Sequence, residues 1–206
     1  MAPTSTRNTP ASPDSGQSPE DVRKPDDRRV SRTRRSIDTA FLTLLKQRGY
    51  EAVGVSDIVR EADVGRATFY EHYTSKDDLL RAQLRHVSSM LRVVGTSAPV
   101  LDATPLLAHV RDVPLLYRLI AGRTAAARTL RILQDVLEER AATLLDAQVR
   151  AGVRLREPLG TAVAARVIVA SLCALLAWWV ERGMPETPAE VQRLFQACTG
   201  AMVDAG

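Results

Sequence analysis

VSDIVREADVGRATFYEHYTSKDDLL, from Val55 to Leu80, is the stretch whose reading decides the fold. Val55, Ile58, Val59 and Ala62 fall on one face of a helix of about two turns, and that face needs a partner. Asp63-Val64-Gly65 interrupts the pattern, and Gly65 is free to adopt the dihedrals that a sharp reversal requires. A second short helix begins at Arg66. Its Ala67, Phe69 and Tyr70 are expected to pack against the first helix, leaving Arg66, Thr68, Glu71 and His72 exposed, where such helices meet base edges. Thr74-Ser75-Lys76-Asp77-Asp78 opens a third helix, because a hydroxyl followed three residues later by a carboxylate caps a helix start. Acidic groups in that first turn also suit the helix macrodipole.

Working outward, Ile37, Ala40, Phe41, Leu44 and Leu45 recur at helical spacing between Ser31 and Arg48, and Gly49 stops that helix. It completes a three-helix core. Before it, RRVSRTRR places Arg28, Arg29, Arg32, Arg34 and Arg35 in one run. Such density needs solvent or anions, and next to a DNA-reading unit it reads as an arm that contacts phosphates or enters a minor groove. Residues 1–27 are rich in Pro, Ser, Thr and Asp and are expected to be a disordered tail. No apolar run follows Met1, so the segment does not read as a secretory leader.

The residues Gly49, Tyr50, Val55, Asp57, Ile58, Ala62, Val64, Thr68, Phe69, Tyr70, His72, Tyr73, Ser75 and Lys76 carry a resemblance to the TetR family of one-component bacterial regulators. Their order and spacing match its pattern without a break, and the likeness extends from Arg34 to about Leu84. Three positions depart from the pattern. Val53 and Gly54 stand where the family has threonines that cap the second helix and touch a phosphate, a contact that Ser56 is placed to take over. Asp63 stands where the turn glycine usually sits, which asks a residue with a Cβ to accept a left-handed conformation. Gly65 replaces the usual serine at the start of the recognition helix and is a weaker N-cap.

The resemblance implies an all-α protein with an N-terminal three-helix DNA-binding domain (residues 28–76) and a C-terminal helical ligand-binding and dimerisation domain (77–206). It implies DNA contacts from Arg32, Arg34, Ser56, Arg66, Ala67, Thr68, Tyr70, Glu71, His72 and Lys76, of which Arg66 is suited to pair with guanine.

In the rest of the chain, Leu80, Leu84, Val87, Leu91 and Val94 keep one stripe, so the linking helix is expected to run to Gly95–Pro99. A shorter helical region covers Thr104 to Ala121, and Arg123 to Arg150 reads as a long amphipathic helix with Leu130, Leu133, Leu137, Leu144 and Gln148 on one side. Leu159 to Val180 is apolar nearly all round. A membrane span is the competing reading there, but Arg166 interrupts the run and leaves it short of the roughly 20 residues a bilayer demands. A buried helix is expected, covered on one side by its own domain and on the other by a partner.

The last helix, from Pro188, carries Val191, Leu194, Phe195, Cys198 and Met202 on one stripe. In TetR-like proteins the last two long helices pair with their two-fold copies, which assigns Ala170, Ala174, Leu194, Phe195 and Cys198 to a homodimer interface. Met90, Tyr117, Trp178 and Trp179 are the candidate walls of a pocket for an unidentified small-molecule effector.

The 206 residues are 45% apolar with a net charge of +4, and the positive charge crowds toward the N-terminal unit as in polyanion binders. Cys173 and Cys198 are too few and too far apart for a metal knuckle or redox pair, so no metal or cofactor is expected and a reducing cytoplasm is the natural compartment. His72, His86 and His109 are scattered and no Gly-rich phosphate loop is present, which argues against an enzyme. The resemblance implies a repressor that binds palindromic operators as a dimer and is released by a small-molecule ligand. An activator remains open, as does a helical ligand-binding or protein-interaction module whose reading head has lost DNA affinity.

Overall fold

The computed structural model describes residues 25–94, 100–121, 127–155 and 160–200. Helix α1 (Pro25–Arg48) starts inside the span expected to be a disordered tail, so the basic run is helical rather than an extended arm. Its Ile37, Ala40, Phe41, Leu44 and Leu45 are buried, while Arg28, Arg32 and Arg35 are exposed. The helix ends as the sequence requires: Gly49 takes φ +75° and its N–H donates to Leu45 O at 2.9 Å. Helices α2 (Val55–Glu61) and α3 (Arg66–His72) follow, and α2 packs on α1 with Ile58 fully buried between them.

Helix α4 (Lys76–Ser88) is shorter than the apolar stripe predicts. Near its end the Ser88 hydroxyl donates to Arg85 O at 3.0 Å and the Ser89 hydroxyl to His86 O at 2.6 Å, local bonds that compete with continuation of a helix. Leu91 still turns into the core, but Arg92–Val94 runs as strand β1, paired antiparallel with β2 (Val100–Asp102). The fold is all-α in class, as expected, with one small two-stranded ribbon set among the helices. The spacing of Leu91 and Val94 fits a helix face, yet three residues are too few to tell that period from a strand's.

The region expected as one short helical stretch is two helices, α5 (Thr104–Asp112) and α6 (Pro114–Ala121). Pro114 donates no backbone hydrogen bond and pushes Val113 out of helical geometry, to φ −131°. Helices α7 (Ala127–Arg150) and α8 (Thr161–Glu181) pack along their length, and α6 and α9 (Pro188–Thr199) cover further parts of α8. The start of α9 is a reciprocal cap: Thr187 N–H donates to the Glu190 carboxylate at 2.7 Å, and Glu190 N–H to the Thr187 hydroxyl at 3.3 Å.

Helix α8 has the length and apolar composition to cross a bilayer. Its Ala164, Ala165, Ile168, Val169, Leu172, Cys173, Leu176, Trp179 and Val180 are instead buried against the neighbouring helices. That burial raises the Cys173 thiol to about 12.

Candidate nucleic-acid interface

The turn between α2 and α3 is built differently from the sequence expectation at one residue and as expected at another. Asp63 takes the left-handed conformation, φ 51°, whereas Gly65 is extended at φ −70° and ψ 151°. The reversal is therefore made by Asp63, and Gly65 serves only to begin α3. Val64 N–H closes the end of α2 by donating to Val59 O at 3.0 Å.

At the other end of α2, Gly54 offers no side chain, and the Asp57 carboxylate accepts the Gly54 N–H at 3.0 Å. That backbone hydrogen bond, with Arg60 at 2.6 Å, holds the Asp57 carboxyl below its usual range. With the cap supplied by Asp57, the exposed Ser56 hydroxyl has no protein partner among the described residues.

In α3 a single aromatic anchors the helix. Phe69 is fully buried, edge-on to Tyr70 at 5.4 Å and tilted against Tyr73 at 5.9 Å. Ala67 and Tyr70 do not pack inward as expected: a seven-residue helix fastened through Phe69 turns them outward, and Tyr70 is 46% exposed. Arg66 lies over the Tyr70 ring at 5.7 Å and donates to its hydroxyl at 3.3 Å. Arg66, Ala67, Tyr70 and Glu71 thus form one exposed surface, with Thr68 and His72 half-buried at its edge.

Two cations named from the sequence, the half-buried Lys76 and the exposed Arg34, are bonded to the protein. The Lys76 ammonium donates to Tyr50 O and Val53 O, both at 2.8 Å, and sits 4.0 Å from the centre of the Tyr50 ring. Desolvation lowers its pKa, as for an amine held in the protein rather than in solvent. Arg34 Nε donates to the Tyr73 hydroxyl at 3.1 Å, and that hydroxyl donates to Asp38 at 2.6 Å. Burial and the Asp38 bond raise the Tyr73 phenol to about 12, and the bond to Tyr73 raises the Arg34 pKa. Arg34 ties the end of α3 to α1, and Lys76 ties the start of α4 to the loop between α1 and α2. Arg32 remains outward and lines, with Arg35, Thr43 and Glu61, a cleft of about 380 Å³ beside α1 and α2.

Sequence reasoning missed the joint between head and body. Asp77, in the first turn of α4, accepts from the Tyr50 hydroxyl and from Arg128 of α7, at 2.9 Å from Nε and 2.5 Å from the second nitrogen. Burial pushes the Asp77 carboxyl up, but the bonds from Arg128 and Tyr50 outweigh it and hold it below its usual range. Arg81 of α4 pairs with Asp135 of α7 at 2.8 Å. Partners so distant in sequence leave no local pattern to read.

The residues named for the other two sites are redistributed. Phe195 and Trp179 are fully buried in the core of the chain, and the Trp179 indole N–H donates to Glu186 O at 3.1 Å. Trp178 is 38% exposed and stacks with Arg182 at 5.1 Å, on the outer face of α8 rather than around a pocket. Ala170 and Ala174 share that face with Val163 and Val167, while Leu194 and Cys198 are exposed on α9. Met90 is half-buried against the core. Tyr117 is buried edge-on to His109 at 5.9 Å, its pKa raised by burial and its hydroxyl without a partner among the described residues.

The profile of the bacterial regulatory proteins of the tetR family matches residues 38–82, which span α2, α3 and the Phe69 anchor. The head is similar to those of the tetR family. Over 60 residues the chain is 43% identical to the HTH-type transcriptional regulator YxbF of Bacillus subtilis, covering 29% of this chain and 16% of YxbF. Over 74 residues it is 40% identical to the HTH-type transcriptional repressor LfrR of Mycolicibacterium smegmatis, covering 34% of this chain and 38% of LfrR. The chain therefore spans well under half the length of these curated relatives.

Likeness of fold reaches further along the tetR-type chain. The TetR regulator TylP of Streptomyces fradiae superposes with a TM-score of 0.62 at 21% identity, over 86% of this chain and 82% of TylP. A TetR transcriptional regulator of Streptococcus agalactiae superposes with a TM-score of 0.54 at 21% identity, over 84% of this chain and 97% of its own. An N-terminal helix-turn-helix followed by a helical C-terminal region is thus the architecture of this chain and of tetR-type regulators.

Proposed function

We propose that the protein is a cytoplasmic one-component transcriptional repressor that binds palindromic operator DNA as a homodimer and leaves it when a small molecule enters the C-terminal region. The observation that carries the reading is the surface of α3: Phe69 is sunk in the core, and Arg66, Ala67, Tyr70 and Glu71 are turned out together. A helix held this way presents side chains of defined rotamer to a major groove. Arg66, already ordered over Tyr70, is the residue for guanine, and a bidentate contact there discriminates by about 1–3 kcal/mol. Ser56 and the outward arginines of α1, Arg28, Arg32 and Arg35, supply phosphate contacts. Lys76 and Arg34 act indirectly, by holding α3 and α4 in place.

Repression is favoured over activation by the head's likeness to the repressor LfrR. The dihydroxyacetone kinase operon activator DhaS has a similar fold, with a TM-score of 0.52 at 18% identity, so the fold is compatible with either sign. The homodimer is supported by the apolar outer faces of α8 and α9.

The test is selection of bound sites from a pool of random duplexes, followed by salt titration of the winner with the wild type and Arg66→Ala. An enriched palindrome, with affinity falling steeply with salt and specificity relaxed by the substitution, is expected. A folded dimer that enriches nothing would point instead to a ligand-binding module without DNA affinity.

A further inference from the structure

The seam between α4 and α7 is closed by ion pairs in its first part and left open in its second. Arg128 meets Asp77 and Arg81 meets Asp135. Farther along, no such pair forms across the seam among the described residues, and a cleft of about 280 Å³ opens there. It is lined by Arg85 and Ser88 of α4, by Ser89 just after that helix, and by Val136, Glu139, Arg140 and Thr143 of α7. Arg85 makes only a 3.9 Å contact with Asp78 on its own helix. Arg140 donates through one terminal nitrogen to Leu91 O at 3.2 Å, while its Nε–H is buried without a partner among the described residues. Two guanidinium groups from two helices thus border one cleft with incomplete partners, beside a small apolar wall at Val136.

We infer that this cleft binds a small monoanionic carboxylate, bridged between Arg85 and Arg140. Guanidinium is the side-chain group that matches a planar carboxylate, and a charged acceptor between two such groups gains on both sides. Glu139 in the lining and Asp78, 3.9 Å from Arg85, limit the positive charge that the two guanidiniums offer, which suits a monoanion, and a dianion such as phosphate meets repulsion from both carboxylates. The volume fits a ligand the size of one substituted ring. Because the bridge joins α4, which carries the reading head, to α7, the ligand biases the angle of α4. In this role it is the effector of the proposed function, and that part of the inference rests on that reading.

The experiment is calorimetric titration of the full-length protein with benzoate, with benzamide as the neutral isostere and inorganic phosphate as the dianion. Benzoate binding at least about tenfold tighter than benzamide or phosphate is expected, and Arg85→Gln and Arg140→Gln should each weaken it by about tenfold or more. Arg85 is on the surface, so Arg85→Gln keeps the test valid if Arg140→Gln disturbs folding. Equal binding of benzoate and benzamide, no binding of benzoate, or benzoate binding unchanged in Arg85→Gln would overturn the site. Operator affinity is then measured with and without benzoate. A change supports the effector role, whereas specific benzoate binding that leaves operator affinity unchanged retains the site and overturns only that role.

Discussion

Helices α3 and α8 both leave side chains in solvent, but they do so with opposite chemistry. On α3 the outward residues include Arg66, Tyr70 and Glu71, and the one large apolar group, Phe69, is fully buried. On α8 the outward residues are mostly apolar, Val163, 53% exposed, with Val167, Ala170, Ala174 and Trp178 around the exposed Arg166, and α9 adds Leu194, 42% exposed. A polar exposed face is complete in water until a polyanion arrives, whereas a contiguous apolar one is not. The difference separates a face that water satisfies from one that gains by being covered, and under the proposed two-fold reading a second copy of α8 and α9 would cover it.

The sharpest way to break this contrast is to place a charge on the second face. Ala174→Glu keeps a good helix former on the surface of one chain but buries an unpaired carboxylate from each chain in a dimer. Sedimentation should show monomers, with dimer affinity lowered by about 4 kcal/mol or more, and an unchanged dimer would place the interface elsewhere. Phe69→Ala attacks the first region from inside and should destabilise the head by about 3–5 kcal/mol in denaturant melts, with loss of operator binding. Arg66→Ala should leave stability unchanged, since Arg66 touches only Tyr70, and lower operator discrimination by about 1–3 kcal/mol. A stability loss in Arg66→Ala equal to that in Phe69→Ala would mean that the outward face of α3 is structural.

The smallest effect tests the joint between the two regions. The folded Asp77 carboxyl lies below its ordinary range, so its contribution to stability is present above the unfolded pKa and disappears as pH falls through the folded one. Melting at neutral pH and under increasingly acidic conditions should show this loss, and Asp77→Asn should flatten that part of the profile. An identical acid profile in Asp77→Asn would show that Arg128 and Tyr50 do not hold the charge.

The head was legible because its signals are local. Apolar spacing located α1, α2 and α3, Gly49 marked a helix end, and the left-handed turn at Asp63 followed from its place in the pattern. The body was legible only as helices. Trp178 and Trp179 are neighbours, yet one is 38% and the other 0% exposed, and Leu194 and Phe195 part in the same way. Which of two adjacent apolar residues turns inward depends on where the neighbouring helices lie, and periodicity read over a nearly all-apolar helix does not contain that information. The extended conformation of Gly65 and the inward turn of Lys76 were hidden for a related reason: both depend on backbone dihedrals and carbonyls supplied by the assembled loop.

Gln192 of α9 gives the chain a temporal order. Its side-chain amide accepts from Ala103 N–H and donates to Leu101 O, both at 2.9 Å and both buried, so it stands beside β2 as a peptide unit of a third strand would. During synthesis those two backbone groups stay in water until the residues near position 192 have left the ribosome, while the Phe69 core is assembled from residues made long before. Nascent chains stalled before Gln192 should therefore protect the head from protease and leave the ribbon open. In the cell, the helix-turn-helix is complete before the helix that covers the ribbon.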